Sequence, residues 1–322
     1  MIFHKDVLKT DYEKEAERIA SFIRQETLAQ RREGAVIGLS GGVDSALAGE
    51  LCVRALGKEK VFGLILPEKD SHPTSEEYAL KQARKMGIEV KIVDITPALE
   101  GLGTYEKRDE KIRDVFPEYS AQFKLKITLP SDLLAKDAFN FFTLTLDDGK
   151  GNTRTARLKK EALAGIVAAT NTKQRTRMIH LYYYAEKMNY LVCGTTNRSE
   201  AVQGFFVKYG DGGVDIEPIA HLYKTQVYGL AEHLGVLPEI LQRPASPDTY
   251  SFYVSDEEFF FRIPFRTLDF LLYAWENSVP IADVSRVMDL AEDQVKRAFR
   301  DFSAKFRVSE HMRKLPATLP QE

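Results

Sequence analysis

Gly38-Leu39-Ser40-Gly41-Gly42-Val43-Asp44-Ser45 follows the apolar strand end Ala35-Val36-Ile37 and precedes a helix-forming run, Ala46 to Leu56. A strand, a glycine-rich turn and a helix make a cradle for phosphate. Glycines let the backbone approach an anion, and N–H groups at the helix start point at it. Ser40 and Ser45 add hydroxyl donors. Asp44 would be repelled by bare phosphate, so its expected task is to hold Mg²⁺.

No lysine occupies this loop, so it is not the Gly-x-x-x-x-Gly-Lys-Ser/Thr turn of kinases and GTPases. It resembles the Ser-Gly-Gly-x-Asp-Ser loop of the ATP pyrophosphatases. That resemblance implies a β,γ-pyrophosphate held as leaving group and AMP transferred to a substrate. The competing reading is an ordinary strand–helix turn with chance glycines; against it stands the match of Ser40, Gly41, Gly42, Asp44 and Ser45 to the motif in its strand–turn–helix context.

Outward from the loop, strands and helices alternate. Residues 10–32 have helical spacing, with Ala16, Ile19, Ala20, Phe22, Ile23 and Leu28 on one side. Val61 to Pro67 is a continuous apolar run, as in a strand buried on both faces. Ser75 to Met86 reads as a helix stopped at Gly87, Glu89 to Ile95 as a strand, Arg177 to Met188 as a helix, and Tyr190 to Cys193 as a strand. The fold class is α/β: a doubly wound, mostly parallel sheet with helices on both faces, Rossmann-like. The whole chain, 1–322, is read as a single domain. Residues 101–158 break the rhythm. Phe123 to Leu129 alternates, Phe139 to Leu146 reads as a strand, Asp147 to Asn152 as a turn, and Thr153 to Leu158 alternates again. This is an inserted β-hairpin or small sheet, a decoration or else a lid or dimer arm. The region 255–322 is helical, and its 281–306 pair is an αα-hairpin. A DNA-reading helix–turn–helix would need a basic second helix, but Glu292, Asp293 and Asp301 offset Lys296, Arg297 and Arg300.

The 322 residues carry a net charge of −2, with no electrostatic footprint for nucleic acid. No apolar stretch of membrane-spanning length occurs, and Met1 to Asp6 lacks the core of a signal peptide. Cys52 and Cys193 sit in apolar patterns and read as buried thiols of a reducing compartment, so the cytoplasm is expected.

A second constellation, Gly194-Thr195-Thr196-Asn197-Arg198-Ser199-Glu200, follows a strand. Ligands bind at the carboxyl ends of parallel strands, so Thr195 and Glu200 should face the crevice that Asp44 faces. Glu200 would be a second hard Mg²⁺ ligand. Taken alone, it could equally be a helix-capping glutamate. Three further stretches follow it: Gly204-Phe205-Phe206-Val207-Lys208-Tyr209-Gly210-Asp211-Gly212-Gly213-Val214-Asp215, Leu222-Tyr223-Lys224-Thr225, and Arg243-Pro244-Ala245-Ser246-Pro247-Asp248. Asn171 to Met178 lies upstream and Ser309 to Pro316 downstream.

Together these stretches closely resemble the NAD synthetase family, over about 15–100 and 165–320. The resemblance implies ATP-dependent amidation of nicotinate adenine dinucleotide (deamido-NAD) through an acyl-adenylate, with ammonia as nucleophile and Mg²⁺ as cofactor. It implies Asp44, Glu200 and Lys224 as the catalytic set, with Asp44 and Glu200 as metal ligands. Gly38 to Ser45, Thr195, Lys224 and Ser246 would contact ATP as co-substrate. Arg175, Lys208, Asp215 and His311 would contact the deamidated dinucleotide. A homodimer is implied too. The sequence departs from the family's usual pattern at Thr196-Asn197, at Ala245 to Asp248, and at Met312, where a lysine is common. The loop is reached by residue 38, so no glutaminase domain is expected ahead of it; ammonia would be free or come from a separate partner. The alternatives are an ATP pyrophosphatase amidating another carboxylate or acting on tRNA, and a scaffold with a disused loop.

Overall fold

The computed structural model describes residues 3–130, 132–135 and 141–319. In chain order the elements are α1 (Tyr12–Ala29), β1 (Ala35–Gly38), α2 (Val43–Leu56), β2 (Val61–Ile65), α3 (Pro73–Met86), β3 (Glu89–Ile92), α4 (Thr96–Gly101) and α5 (Thr104–Arg113). Next come β4 (Lys124–Thr128), β5 (Thr143–Asp147), β6 (Thr153–Arg157), α6 (Lys160–Met188), β7 (Leu191–Cys193) and α7 (Arg198–Gln203). The chain ends with α8 (Lys224–His233), α9 (Pro238–Leu241), α10 (Phe265–Glu276), α11 (Ile281–Met288) and α12 (Glu292–Val308).

The main sheet has the order β3-β2-β1-β7, and every pair is parallel. Alternate residues of β1, β2 and β7 enter two separate cores, as the pleat requires. Ala35, Ile37, Val61, Ile65, Leu191 and Cys193 pack with α1, α2, α3 and α8. Val36, Phe62, Leu64 and Val192 pack with Leu99, Tyr105, Leu181 and Ala185 of α4, α5 and α6. These three strands are therefore buried on both faces, which is why they read as unbroken apolar runs, whereas β3 at the edge is largely exposed. The chain leaves β1 for β2 on one side and returns to β7 on the other. This reversal opens a crevice at the carboxyl end of β1.

A second sheet, β4-β5-β6, is an antiparallel meander. Leu125, Ile127, Leu144 and Leu146 bury one face against Ile112 of α5 and Ala162 and Ile166 of α6. Helix α6 runs 29 residues, about 43 Å, and so reaches from this sheet to the main one. Asn189 in the left-handed conformation ends it, as Gly87 ends α3. Helices α10, α11 and α12 close around Phe261, Leu272, Val295 and Phe302.

Three sequence expectations need adjusting. Phe22 and Leu28 share the apolar side of α1 in the pattern but are 38% and 76% exposed, because no element covers the outer edge of that stripe. Helix α6 begins at Lys160, well before Arg177, and its first half packs Ala162 and Ile166 against the second sheet. The strand expected from Phe139 begins at Thr143; Phe139 and Asn140 lie outside the described residues. Among the described residues, no helix is long and apolar enough to cross a membrane.

Candidate active site

The loop between β1 and α2 sits at the crevice. Gly41 has φ +76°, and a Cβ there would run into the Ser75 carbonyl oxygen, so only glycine fits. Gly42 caps α2 with no side chain over the helix end. Ser40 and Ser45 shape the turn. Their hydroxyls lie 3.1 Å apart, and Ser45 Oγ accepts from Ser40 N–H at 3.2 Å. Leu39 is buried in the core and offers the loop only its backbone.

Asp44, in the first turn of α2, meets Glu200 and Lys224 from the far side of β7. Lys224 Nζ lies 2.6 Å from Asp44 Oδ2 and 3.2 Å from Glu200 Oε1. Asn197 joins the set: its Nδ2 donates to Asp44 Oδ1 at 2.9 Å. Asn197 and Glu200 also form a reciprocal cap on α7. The capping reading of Glu200 holds: one carboxylate oxygen caps the helix, while the other faces the lysine. Lys224 is placed by its own backbone: its N–H donates to Ser199 Oγ, which donates to buried Asp269.

Asp256 is buried in the same pocket, close enough to Lys224 to feel its charge, and its Oδ1 has no protein partner. Burial pushes it up to about 6. Burial also pushes Glu200 above the usual carboxylate range, helped by Asp44 and Asp256 and opposed by Lys224. Burial alone would lower the Lys224 ammonium, but Asp44 and Glu200 hold it well above its ordinary value. Three carboxylates around one ammonium leave surplus negative charge, so a polyphosphate would enter this end only with a further cation. Among the described residues, no three His, Cys, Asp or Glu form a metal cage. Two hard carboxylates whose remaining partners come from phosphate and water suit Mg²⁺.

The pocket has a volume of about 570 Å³. Gly38 to Ser45 (without Gly41), Thr195, Glu200, Lys224 and Ser246 line one end. Gln174 and Arg177 of α6 line its side; Ile127, Phe142, Val167, Tyr250 and Phe259 make an apolar end. The second sheet therefore contributes to the pocket wall.

The four residues expected to meet a dinucleotide lie outside this lining. Arg175 Nε donates to the Lys208 carbonyl at 3.2 Å, and Lys208 Nζ donates to the His311 carbonyl at 2.9 Å. Arg175, Lys208 and His311 thus meet at the surface. Asp215 does not join them: it accepts from Val192 N–H at 2.7 Å and Tyr182 hydroxyl at 3.1 Å. Sequence reasoning missed Asn197's second role, Asp256, Asp211 and Glu217. Burial pushes Asp211 to about 6 and Glu217 to about 8. The one available signal was acidic residues inside otherwise apolar or glycine-rich runs.

A family model described as NAD synthase matches residues 15–121 and 139–316, leaving out the segment that contains β4. An NH(3)-dependent NAD(+) synthetase of Rhizobium meliloti (strain 1021) is 42% identical over 97% of this chain and 93% of its own length. The one from Thermotoga maritima is 38% identical over 86% of this chain and 95% of its own. A solved NH3-dependent NAD synthetase from Campylobacter jejuni has a TM-score of 0.62 at 25% identity, covering 97% of this chain and all of that one. The matched ranges take in the Gly38–Ser45 loop, Glu200 and Lys224, and the chain belongs to the NAD synthase family.

Proposed function

We propose that this protein amidates nicotinate adenine dinucleotide to NAD, using ATP and ammonia and releasing AMP and pyrophosphate. The observation that carries this is the Asp44–Lys224–Glu200 group beside a Ser-Gly-Gly-x-Asp-Ser cradle at the carboxyl end of β1. Relatives 33–43% identical are named NH(3)-dependent NAD(+) synthetases, which favours this dinucleotide over another carboxylate.

A carboxylate resists an amine because its charge repels nucleophiles and oxide leaves poorly. Adenylation removes both obstacles. The substrate carboxylate attacks the α-phosphorus of ATP, and pyrophosphate departs. Lys224 and the loop N–H groups stabilise the charge that develops there. Ammonia then attacks the acyl-adenylate carbonyl, a proton is lost, and AMP departs as the amide forms. Asp44 and Glu200 would hold Mg²⁺, which would neutralise charge on the departing pyrophosphate. Positioning and electrostatics account for the rate, and no covalent nucleophile is needed.

Gly38 to Ser45, Thr195, Lys224 and Ser246 are assigned to ATP. Their place along one pocket end supports this. Arg175, Lys208 and His311 are assigned to the dinucleotide, whose length exceeds what the pocket can hold beside ATP; their convergence at the surface supports it. Asp215 is assigned to the same ligand on the resemblance alone. A homodimer fits the exposed Ile179 and Tyr183 of α6, each 59% exposed one turn apart. Residues 1–322 act as one domain, and the ammonia is free or supplied by a separate protein. Two buried free thiols, Cys52 and Cys193, suit the cytoplasm. The test is NAD formation by the purified chain from the deamidated dinucleotide, ATP and Mg²⁺, with ammonium or glutamine as donor. Ammonium should support it and glutamine should not.

A further inference from the structure

Lys173 lies in α6 next to Gln174, which lines the pocket, yet it is not itself part of the lining and is 1% exposed. An ammonium has three hydrogens to give, and each has an acceptor. Lys173 Nζ lies 2.9 Å from Glu68 Oε1, 2.7 Å from Asp70 Oδ2 and 2.9 Å from the Thr249 carbonyl. The carboxylates are themselves fully engaged. Glu68 Oε2 accepts from the Tyr105 hydroxyl at 2.7 Å and from Asp70 N–H at 3.0 Å. Asp70 also pairs with Arg108, which holds Asp109 at 2.8 Å. Burial alone would raise Asp70, but Lys173 and Arg108 hold it below its ordinary range.

Three segments meet at this one ammonium. The first is α6. The second is the turn after β2, which Arg177 also grips through the Leu66 carbonyl at 3.1 Å. The third is the stretch from Arg243 to Ser255, which has no helix or strand and contains Pro244 and Pro247, neither with an N–H to give. That stretch carries Ser246, Asp248 and Thr249 into the pocket lining. It crosses to the β2 turn where His72 N–H donates to Asp248 Oδ1 at 3.1 Å. Irregular backbone has no continuous ladder to fix it, so such side-chain ties add to the few backbone bonds the stretch makes, among them Phe252 N–H to the Leu125 carbonyl at 3.0 Å and Asp256 N–H to the Ala245 carbonyl at 3.0 Å.

We infer that Lys173 is a positioning residue for ATP: through the Thr249 carbonyl it fixes the 243–255 stretch against α6 and the β2 turn, so that the nucleotide end of the pocket stands assembled before ATP arrives. This rests on the proposed reading of that pocket end as the ATP site. Lys173 touches no reacting atom. Its effect is therefore on nucleotide affinity rather than on the chemistry.

A plain Lys173→Met variant would mix two effects, because it also strands the buried Glu68 charge. Lys173→Met/Glu68→Gln removes that charge while still lacking the tie to Thr249. The experiment compares wild type, Lys173→Met, Lys173→Arg and the double variant. The readouts are the ATP dissociation constant by calorimetry, the KM of each substrate varied in turn, and thermal melting without ligand. Lys173→Met should weaken ATP about tenfold or more and lower the melting temperature, with the dinucleotide KM moving little. The double variant should regain most of the melting temperature and keep the weakened ATP binding. Lys173→Arg should not rescue ATP binding, because a planar guanidinium cannot reach three acceptors set around one point. Wild-type ATP affinity in Lys173→Met overturns the inference, as does its recovery in the double variant together with stability. An inactive wild type would count against the proposed reaction instead, and the calorimetric comparison would still decide the role of Lys173.

Discussion

The Lys224 ammonium lies 2.6 Å from Asp44 Oδ2, joining the first turn of α2 to the first residue of α8 across 180 positions of sequence. The pair sets the charge beside the β1–α2 loop. Lys224 is the cation that bridges two half-buried carboxylates, and they hold it well above its ordinary value, against burial. Lys224→Met should lower kcat by roughly 100-fold or more, the scale seen when one electrostatic stabiliser of a transition state is removed. It should also lower the melting temperature, because it leaves buried charge uncompensated. Asp44→Asn should abolish turnover with a much smaller effect on melting. Substrate-saturated kcat and thermal melting on both variants check this.

Gly41 and Gly57 offer a matched pair. Both have positive φ, +76° and +83°, but only at Gly41 would a Cβ meet backbone, the Ser75 carbonyl. Each alanine substitution strains the chain by about 1–3 kcal/mol. Gly41→Ala should raise the KM for ATP sharply, since the loop must shift to clear Ser75. Gly57→Ala should cost stability and leave that KM near wild type. Kinetics with ATP varied separates the two.

Glu217 gives a pH test. Its Oε2 accepts from Thr196 N–H at 3.1 Å, and burial raises its carboxyl from about 4.5 to about 8. The folded chain then binds this proton more tightly than the unfolded chain does. Stability due to this group is highest below about 4.5 and falls as pH rises toward about 8. Glu217→Gln should therefore raise the melting temperature at pH 8.5 relative to wild type and change it little at pH 5. Melting curves at the two pH values decide it.

The strand–turn–helix around Gly41 was legible because it is local: its three parts are contiguous, and Asp44 stands out as an acid in the first turn of the helix. Glu200 was legible through the rule that places ligands at the carboxyl ends of parallel strands. Lys224 and Ser246 came only with the family resemblance. Lys173, Asn197 and Asp256 were not legible. Their meaning lies in partners such as Glu68, Thr249 and Asp44, and pairs of 76 to 153 positions leave no periodicity. Phe22 and Leu28 show the reverse limit: spacing tells which side of a helix is apolar, not what covers it. The second sheet was visible as alternation in β4 and β6, but its place at the pocket wall depends on packing with Tyr250 and Phe259.

On the proposed assignment, the surface group Arg175–Lys208–His311 distinguishes the two substrates. A pyrophosphate or carboxylate suits such cations. Lys208→Ala and Arg175→Ala should raise the KM for the dinucleotide strongly and for ATP weakly. Met312, which lines the pocket, stands where a further cation could meet the same anion, so Met312→Lys should lower the dinucleotide KM. Asp215 is already engaged by Tyr182 and the Val192 amide, so Asp215→Asn should have a smaller effect than either cation change. Steady-state kinetics with each substrate varied in turn tests the ranking.

The central claim is that a pyrophosphate-holding loop drives amide formation through an adenylate. The most direct measurement is product stoichiometry with the deamidated dinucleotide, ATP, Mg²⁺ and ammonium, resolved by nucleotide chromatography. The account predicts one NAD and one AMP per ATP consumed, with AMP formation dependent on the dinucleotide. ADP and phosphate as the stoichiometric products, or AMP release with no amide formed at any ammonium concentration, would contradict it.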